Sequence, residues 1–226
     1  MKHKWILLMF LVGLLVMIYP HVAQLVNSQL QHNQVEEFRT ALDDMPADEV
    51  QRLIERARQY NEEIAVDTAG LRDPWGDQEE LVTAYRDLGF GDEEMFGALE
   101  IPKLNLRTPI YLGSSEAVLS KGVGQVEGSS LPLGGLNTHT VLAGHRGMPT
   151  IPMFRDLDRL KSGDVFYIHT MNETLEYRVI LQEVIYPDET DSLEIQEGRD
   201  LATLLTCHPY RYNYQRLLVH GERVEK

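Results

Sequence analysis

The sequence contains a single cysteine, Cys207, in the segment TLLTCHPY. An ionised thiol is a strong nucleophile toward a carbonyl carbon, whereas an inert one behaves as a small buried apolar side chain. One cysteine cannot form an internal disulfide, so this thiol is buried, paired with another molecule, or reactive. A reactive thiol needs a nearby base and a donor for the oxyanion that forms during acyl transfer.

The eight histidines of the chain are the candidate bases. His208 follows Cys207 directly, and adjacent side chains of a strand point to opposite faces, so it is poorly placed. His145 closes the apolar run of LAGHRG, where a glycine-bracketed loop follows a predicted strand. Scaffolds often present functional side chains at such strand ends. Position therefore favours His145, although any single histidine also fits a structural role.

Arg216 is a candidate for the positively charged partner. It begins a predicted strand after the turn PYRYNY, and the strand before that turn carries Cys207. A hairpin would bring the two strand ends together. A guanidinium stays charged and can hold a peptide carbonyl or an oxyanion. Arg146 and Arg211 are the alternatives for this role.

The elements that position these residues read as two regions. From about Met95 onward, short β-type runs separated by Gly, Pro, Asn and Asp predict a mainly β barrel or sandwich. Residues 27–66 read as helical, with an amphipathic stripe after Pro46 that needs a partner surface. Between them, DTAGLRDPWGDQEE is a loop with Trp75 at its centre. This tryptophan either packs on the nearest apolar surface or plugs a pocket.

The N-terminus predicts a membrane anchor. Residues 5–26 carry no charge and as a helix would span about 33 Å, close to the thickness of a bilayer core. Lys2 and Lys4 favour the inside, so the rest of the chain should face the extracellular side. A cleaved signal peptide is the alternative, but His21 stands where a cleavage site wants a small residue. The net charge of −14 argues against nucleic-acid binding.

These segments together resemble the sortase family. TLLTC fits its TLxTC signature, with Arg216 nine residues later, and LAGHRG matches its strand-end histidine. The block from GALEIPKLNLRTPIYLG to NTHTVLAGHRG, the run GDVFYIHT and the ending TCHPY…QRLLVHGERV are similar to the class C, pilin-polymerising branch. Asp73, Pro74 and Trp75 resemble the lid of that class. The resemblance covers roughly residues 15–226.

The resemblance implies an eight-stranded sortase β-barrel with an N-terminal transmembrane helix, a helical extension and a lid loop. The corresponding division of the chain is a cytoplasmic tail at 1–4, a signal anchor at 5–26, the extension at 27–66, the lid loop at 67–80 and the catalytic barrel at 81–226. Class C sortases commonly carry a second, C-terminal transmembrane segment. The sequence here ends just after its last predicted strand, so a single-anchor class C variant is expected, or a sortase of the housekeeping, wall-anchoring type.

The family also implies a role for each site residue. Cys207 would attack the Thr–Gly carbonyl of an LPXTG-like sorting signal, and His145 would protonate the leaving amine and deprotonate the incoming one. Arg216 would steady the substrate backbone and the oxyanion. In the lid, Asp73 would pair with Arg216 while Trp75 covers Cys207. No cofactor and no metal are expected.

The implied partners are the C-terminal sorting signal of a pilin or surface protein and the acceptor amine of a pilin lysine. A housekeeping-type sortase that attaches surface proteins to cell-wall peptide is the near alternative, because the chemistry is the same. Outside this class, the chain could be a non-catalytic envelope module that binds a partner, with Cys207 inert.

Overall fold

The computed structural model describes residues 2–66, 71, 73–75, 95–148 and 151–224. The predicted lid loop is therefore described only at Leu71 and residues 73–75. Residues 81–94, the first part of the predicted barrel region, lie outside the described residues.

Two helices precede the barrel in the part of the chain that the structure describes. Helix α1 is Lys2–Asp44 and helix α2 is Ala47–Val66. The structure thus has no helix boundary between residues 26 and 27, where the sequence suggested that an anchor gives way to an extension. The helix accommodates Pro20 and ends only before Pro46, a residue that removes a backbone donor. By length and composition, α1 is apolar enough to cross a membrane.

Eight strands form a closed barrel, as predicted. They are β1 Met95–Ile101, β2 Leu106–Leu112, β3 Val123–Gln125, β4 Thr138–Ala143, β5 Val165–His169, β6 Thr174–Ile185, β7 Asp200–His208 and β8 Gln215–Arg223. Their order around the barrel is β1-β2-β3-β4-β7-β8-β6-β5. The β2–β3 and β4–β7 pairs are parallel and the others antiparallel. In the described connections lie a short helix, α3 Glu116–Leu119, and 3₁₀ turns at Pro102–Leu104, Leu157–Arg159 and Asp191–Leu193.

Strand β7 divides two apolar clusters. Ala202 and Leu204 face the barrel interior, where a continuous core includes Phe154, Phe166 and Tyr177. Leu205, on the opposite face of the strand, belongs to a second cluster outside the barrel with residues of β4 and β8. Because side chains alternate along a strand, Thr203 and Cys207 share the outer face with Leu205. The outer face of β4, β7 and β8 is therefore the surface that carries the thiol.

Both helices pack on the barrel. The apolar stripe of α2, which includes Ile54, Ala57 and Tyr60, is buried against barrel and loop residues such as Phe96 and Leu131. Helix α1 buries Val35 completely. This packing fixes the position of the two helices relative to the barrel.

Candidate active site

Cys207 and Arg216 are direct cross-strand neighbours. They pair in register where β7 ends and β8 begins, as the predicted hairpin requires. Opposite residues of an antiparallel pair have Cβ atoms about 4.5–5.5 Å apart, so the thiol and the guanidinium stem share one face. Both are buried, with 7% of Cys207 and 6% of Arg216 exposed.

His145 lies just beyond the end of β4, the strand parallel to β7. Its position depends on Gly144, where an added Cβ would lie 2.9 Å from the ring of the buried Phe154. The backbone then turns so that the Phe154 N–H donates to the His145 carbonyl at 3.0 Å. The His145 ring faces outward, with Nε2 3.5 Å from a carboxylate oxygen of the exposed Glu116.

The second threonine of TLLTC ties these two strand ends together. Thr206 donates its hydroxyl to the Gly144 carbonyl at 2.7 Å, and the Gly144 N–H donates to Leu205 at 3.0 Å. Since Thr206 precedes the thiol and Gly144 precedes the imidazole, this pair of bonds fixes the register between Cys207 and His145. The sequence motif marked this threonine, but its partner became visible only in three dimensions.

The predicted lid residues Asp73, Pro74 and Trp75 lie over this site. Asp73 accepts two hydrogen bonds from Arg216, from Nε and Nη2, each at 2.6 Å. The Arg216 guanidinium carbon stands 4.9 Å from the centre of the Trp75 ring, a cation–π distance. On its other side, Trp75 lies 6.4 Å from the His145 ring, between centroids. The tryptophan is thus wedged between the candidate base and the candidate oxyanion donor, and Pro74 is buried.

The surroundings of Cys207 act on its pKa in opposite directions. Burial, the largest influence, raises the thiol pKa, and the Asp73 carboxylate adds to this. The positive charges of Arg216 and Arg146 lower it. With Asp73 in place the thiol form is favoured, because burial disfavours the charged sulfur and the carboxylate lies beside the guanidinium.

Arg146 contacts the end of β7, the strand that carries the thiol. It is 8% exposed, and one terminal nitrogen contacts both the Cys207 carbonyl at 3.4 Å and the His208 Nδ1 at 2.9 Å. The other terminal nitrogen lies 3.2 Å from Asp158. Arg146 therefore braces the backbone that carries the thiol, and Arg216 is the arginine that faces the lid. His208 belongs to this brace, consistent with its expected position on the other face of β7.

The first threonine of TLLTC belongs to a buried polar chain. Thr203 Oγ1 lies 2.7 Å from His139 Nε2 and 2.8 Å from His220 Nδ1. His139 Nδ1 reaches the Glu194 carbonyl at 2.9 Å, and His220 Nε2 reaches Glu183 at 3.0 Å. Burial lowers the pKa of His139 to about 4, so at neutral pH its single proton sits on Nδ1 and donates to Glu194. Thr203 then donates to His139 Nε2.

Sequence reasoning missed this polar chain because its hydrogen-bonded pairs are up to 64 residues apart in the sequence. The available signal was that residues 139, 203 and 220 fall on predicted strands, but strand order was needed to place them on one face. The chain connects β4, β6, β7 and β8 beneath the connection between β6 and β7. Among the described residues, no group of three or more His, Cys, Asp or Glu side chains is arranged to hold a metal ion.

Comparison with known proteins places this geometry in a family. A family model for the sortase domain matches residues 99–224. Sortase D of Bacillus subtilis is 31% identical over 57% of this chain and 63% of its own length. Sortase A of Bacillus anthracis is 30% identical over 58% of this chain and 61% of its own length. The matched region thus spans about three fifths of these curated relatives.

Solved structures cover more of the chain. Streptococcus agalactiae sortase C1 is 40% identical with a TM-score of 0.77, covering 86% of this chain and 96% of that one. Streptococcus pneumoniae sortase C is 37% identical with a TM-score of 0.77, covering 86% and 97%. Clostridium perfringens sortase C, solved with the C-terminal cell wall sorting motif, is 39% identical with a TM-score of 0.75, covering 86% and 99%. The chain belongs to the sortase family, and its structural neighbours are class C sortases.

Proposed function

We propose that the protein is a membrane-anchored cysteine transpeptidase on the extracellular face of the membrane. It cleaves an LPXTG-like sorting signal between Thr and Gly and joins the new C-terminus to a lysine amine of a pilin subunit. The observation that carries this proposal is the cross-strand pair of Cys207 and Arg216, with His145 on the opposite side of Trp75. The class C neighbours, one of them solved with a sorting motif, support the substrate class.

The first half-reaction forms a thioester. The Cys207 thiol gives its proton to His145, the thiolate sulfur attacks the Thr carbonyl carbon, a C–S bond forms, and the carbonyl electrons move to oxygen. Arg216 stabilises that oxyanion with donors that are already positioned before the reaction. When the intermediate collapses, the C–N bond breaks, and His145 gives its proton to the departing glycine amine.

The second half-reaction regenerates the enzyme. The incoming lysine amine loses a proton to His145 and attacks the thioester carbon. The C–S bond breaks, the sulfur leaves as a thiolate, and an isopeptide bond remains. One difficult amide exchange is thereby divided into two easier steps, and no oxidant, reductant or metal enters either step.

The closed lid is incompatible with this cycle. Arg216 cannot hold a substrate carbonyl while Asp73 occupies its Nε and Nη2 donors. The Asp73 carboxylate also raises the pKa of Cys207 and so opposes thiolate formation. Opening the lid therefore frees the oxyanion donor and lowers the thiol pKa in a single movement. A lid of this kind limits hydrolysis and idle oxidation of the thiol between turnovers.

A ligation assay tests the proposal. Full-length protein in detergent micelles is incubated with an LPXTG peptide and either a lysine-bearing pilin-type peptide or a cell-wall-type peptide amine, and products are identified by mass spectrometry. The proposal predicts a ligated product with the lysine peptide, none with Cys207→Ala and a strong reduction with His145→Gln. Preference for the cell-wall amine would instead support the housekeeping alternative. Absence of both ligation and cleavage would refute the transpeptidase.

A further inference from the structure

The exposed tyrosines of the barrel share one end of it. We call this end the catalytic pole: here β4 and β7 end and β8 begins, with Cys207 and Arg216 in the pairing. Outside α1, the tyrosines that the described residues leave exposed all lie at this pole: Tyr186, Tyr210, Tyr212 and Tyr214. Three belong to the β7–β8 turn, and the fourth follows the last residue of β6, which pairs with Arg216. A group of exposed aromatic rings on one surface indicates a contact surface.

The contacts of α1 show which end of the barrel this helix reaches first. Gln31 donates to the Lys121 carbonyl at 2.8 Å and contacts the Met153 sulfur at 3.9 Å. Lys121 leads into β3, which pairs with the end of β4, and Met153 precedes the residue that binds the His145 carbonyl. Followed from its N-terminus, helix α1 therefore first contacts the barrel at the catalytic pole.

The helix then runs along the barrel toward the other pole. Twelve residues after Gln31, Asp43 lines a cavity of about 230 Å³ together with residues 169–174, at the turn between β5 and β6. In the other direction, the uncharged stretch ends at Val26, five residues before Gln31. Five residues of helix span about 7 Å, so the catalytic pole begins close to the end of the membrane-spanning segment.

We infer that the catalytic pole rests on the outer surface of the bilayer in which α1 is anchored, with the tyrosines of the β7–β8 turn in the interfacial region. This inference rests on the proposed membrane anchor. Tyrosine side chains are enriched at that depth because the ring is apolar and the hydroxyl stays hydrated. A kink at Pro20 changes the tilt of the barrel but leaves the same pole nearest the membrane, since it lies within the uncharged stretch.

The contact is aromatic rather than electrostatic. Arg211 is the cation within the tyrosine turn, with its guanidinium carbon 5.4 Å from the centre of the Tyr210 ring. Nearby, the exposed Asp158 is paired with the buried Arg146, and the whole chain carries a net charge of −14. Such a surface does not need anionic lipid, so a zwitterionic phosphatidylcholine bilayer is a sufficient partner.

Depth-dependent quenching tests the inference. Two full-length proteins are prepared in the Cys207→Ala background, one with Tyr212→Cys and one with Leu136→Cys. These positions are 78% and 66% exposed, and Leu136 lies at the pole opposite the catalytic one. Each new cysteine is labelled with an environment-sensitive fluorophore, and the protein is reconstituted into phosphatidylcholine vesicles with or without a spin-labelled headgroup.

The inference predicts that the spin-labelled lipid quenches the label at 212 about twofold or more and leaves the label at 136 nearly unchanged, because a headgroup quencher reaches only the interface. Equal quenching at the two positions, or stronger quenching at 136, in vesicles that carry the protein on flotation would overturn it. Failure to float with the vesicles would overturn both the anchor and the inference. Neither labelled protein needs catalysis, so the outcome is independent of the ligation assay.

Discussion

Replacing Asp73 with alanine should release the lid and expose the thiol of Cys207. The carboxylate makes two hydrogen bonds of 2.6 Å to Arg216, and the two side chains are 14% and 8% exposed. A charge-assisted hydrogen bond contributes about 1.5–3 kcal/mol when buried, and an exposed ion pair contributes about 0–1 kcal/mol. Since both side chains are mostly buried, the higher range applies, and we expect the closed state to lose about 2 kcal/mol, which raises the open population about 30-fold.

The rate of Cys207 alkylation by a small thiol reagent reports this population. Asp73→Ala should react about 30-fold faster than the wild type, because the reagent reaches only the open state. Its pH–rate profile should also shift toward lower pH, since the carboxylate that raises the thiol pKa is gone. Trp75→Ala should react faster as well, but with a smaller shift of the profile, because it removes the cover and keeps the charge.

Asp164→Ala is the matched control. Asp164 forms an ion pair of the same length, 2.6 Å, with Lys103 at a site away from the lid. This variant should alkylate at the wild-type rate. Equal rates in the wild type, Asp73→Ala and Trp75→Ala would refute the reasoning, because the lid would then not control access to the thiol.

Three further predictions concern the scaffold. Gly144→Ala places a Cβ 2.9 Å from the Phe154 ring, and should lower transpeptidation about tenfold and the free energy of unfolding by about 1–3 kcal/mol, measured by ligation rate and urea titration. Arg146→Gln removes a positive charge that lowers the pKa of Cys207, so the alkylation profile should move to higher pH; an unchanged profile would contradict this. His139 has a pKa of about 4, below its usual 6.5, so the folded state resists its protonation. The free energy of unfolding therefore decreases as the pH is lowered. Between pH 8 and 5 this group alone should remove about 2 kcal/mol, and His139→Gln should flatten the curve in urea titrations at each pH; a curve as steep as that of the wild type would count against it.

The sequence predicted the elements whose signals are local. Alternating β-type runs with turn residues between them indicated the barrel, and the PYRYNY turn placed Cys207 and Arg216 at adjoining strand ends because a hairpin leaves little choice of geometry. The family resemblance supplied the eight-stranded barrel, because strand patterns alone left the choice between barrel and sandwich open.

Contacts that depend on distant segments were beyond the sequence. Nothing near Thr203 indicates that His139 and His220 lie on either side of it, because their meeting requires the order of β4, β7 and β8. The Asp73–Arg216 contact joins residues 143 positions apart and came only from the family resemblance. The predicted division at residue 26 falls within helix α1, because a change from apolar to polar residues alters what a helix faces without ending it.

The most direct test of the central claim is intact-mass spectrometry of the protein after incubation with an LPXTG peptide. Wild type, Asp73→Ala and Cys207→Ala are compared under the same conditions. The account predicts an added mass equal to the peptide fragment that ends at Thr, strongest in Asp73→Ala and absent from Cys207→Ala. An adduct that persists in Cys207→Ala, or its absence from Asp73→Ala when the ligation assay consumes the same peptide, would contradict thioacyl transfer at Cys207.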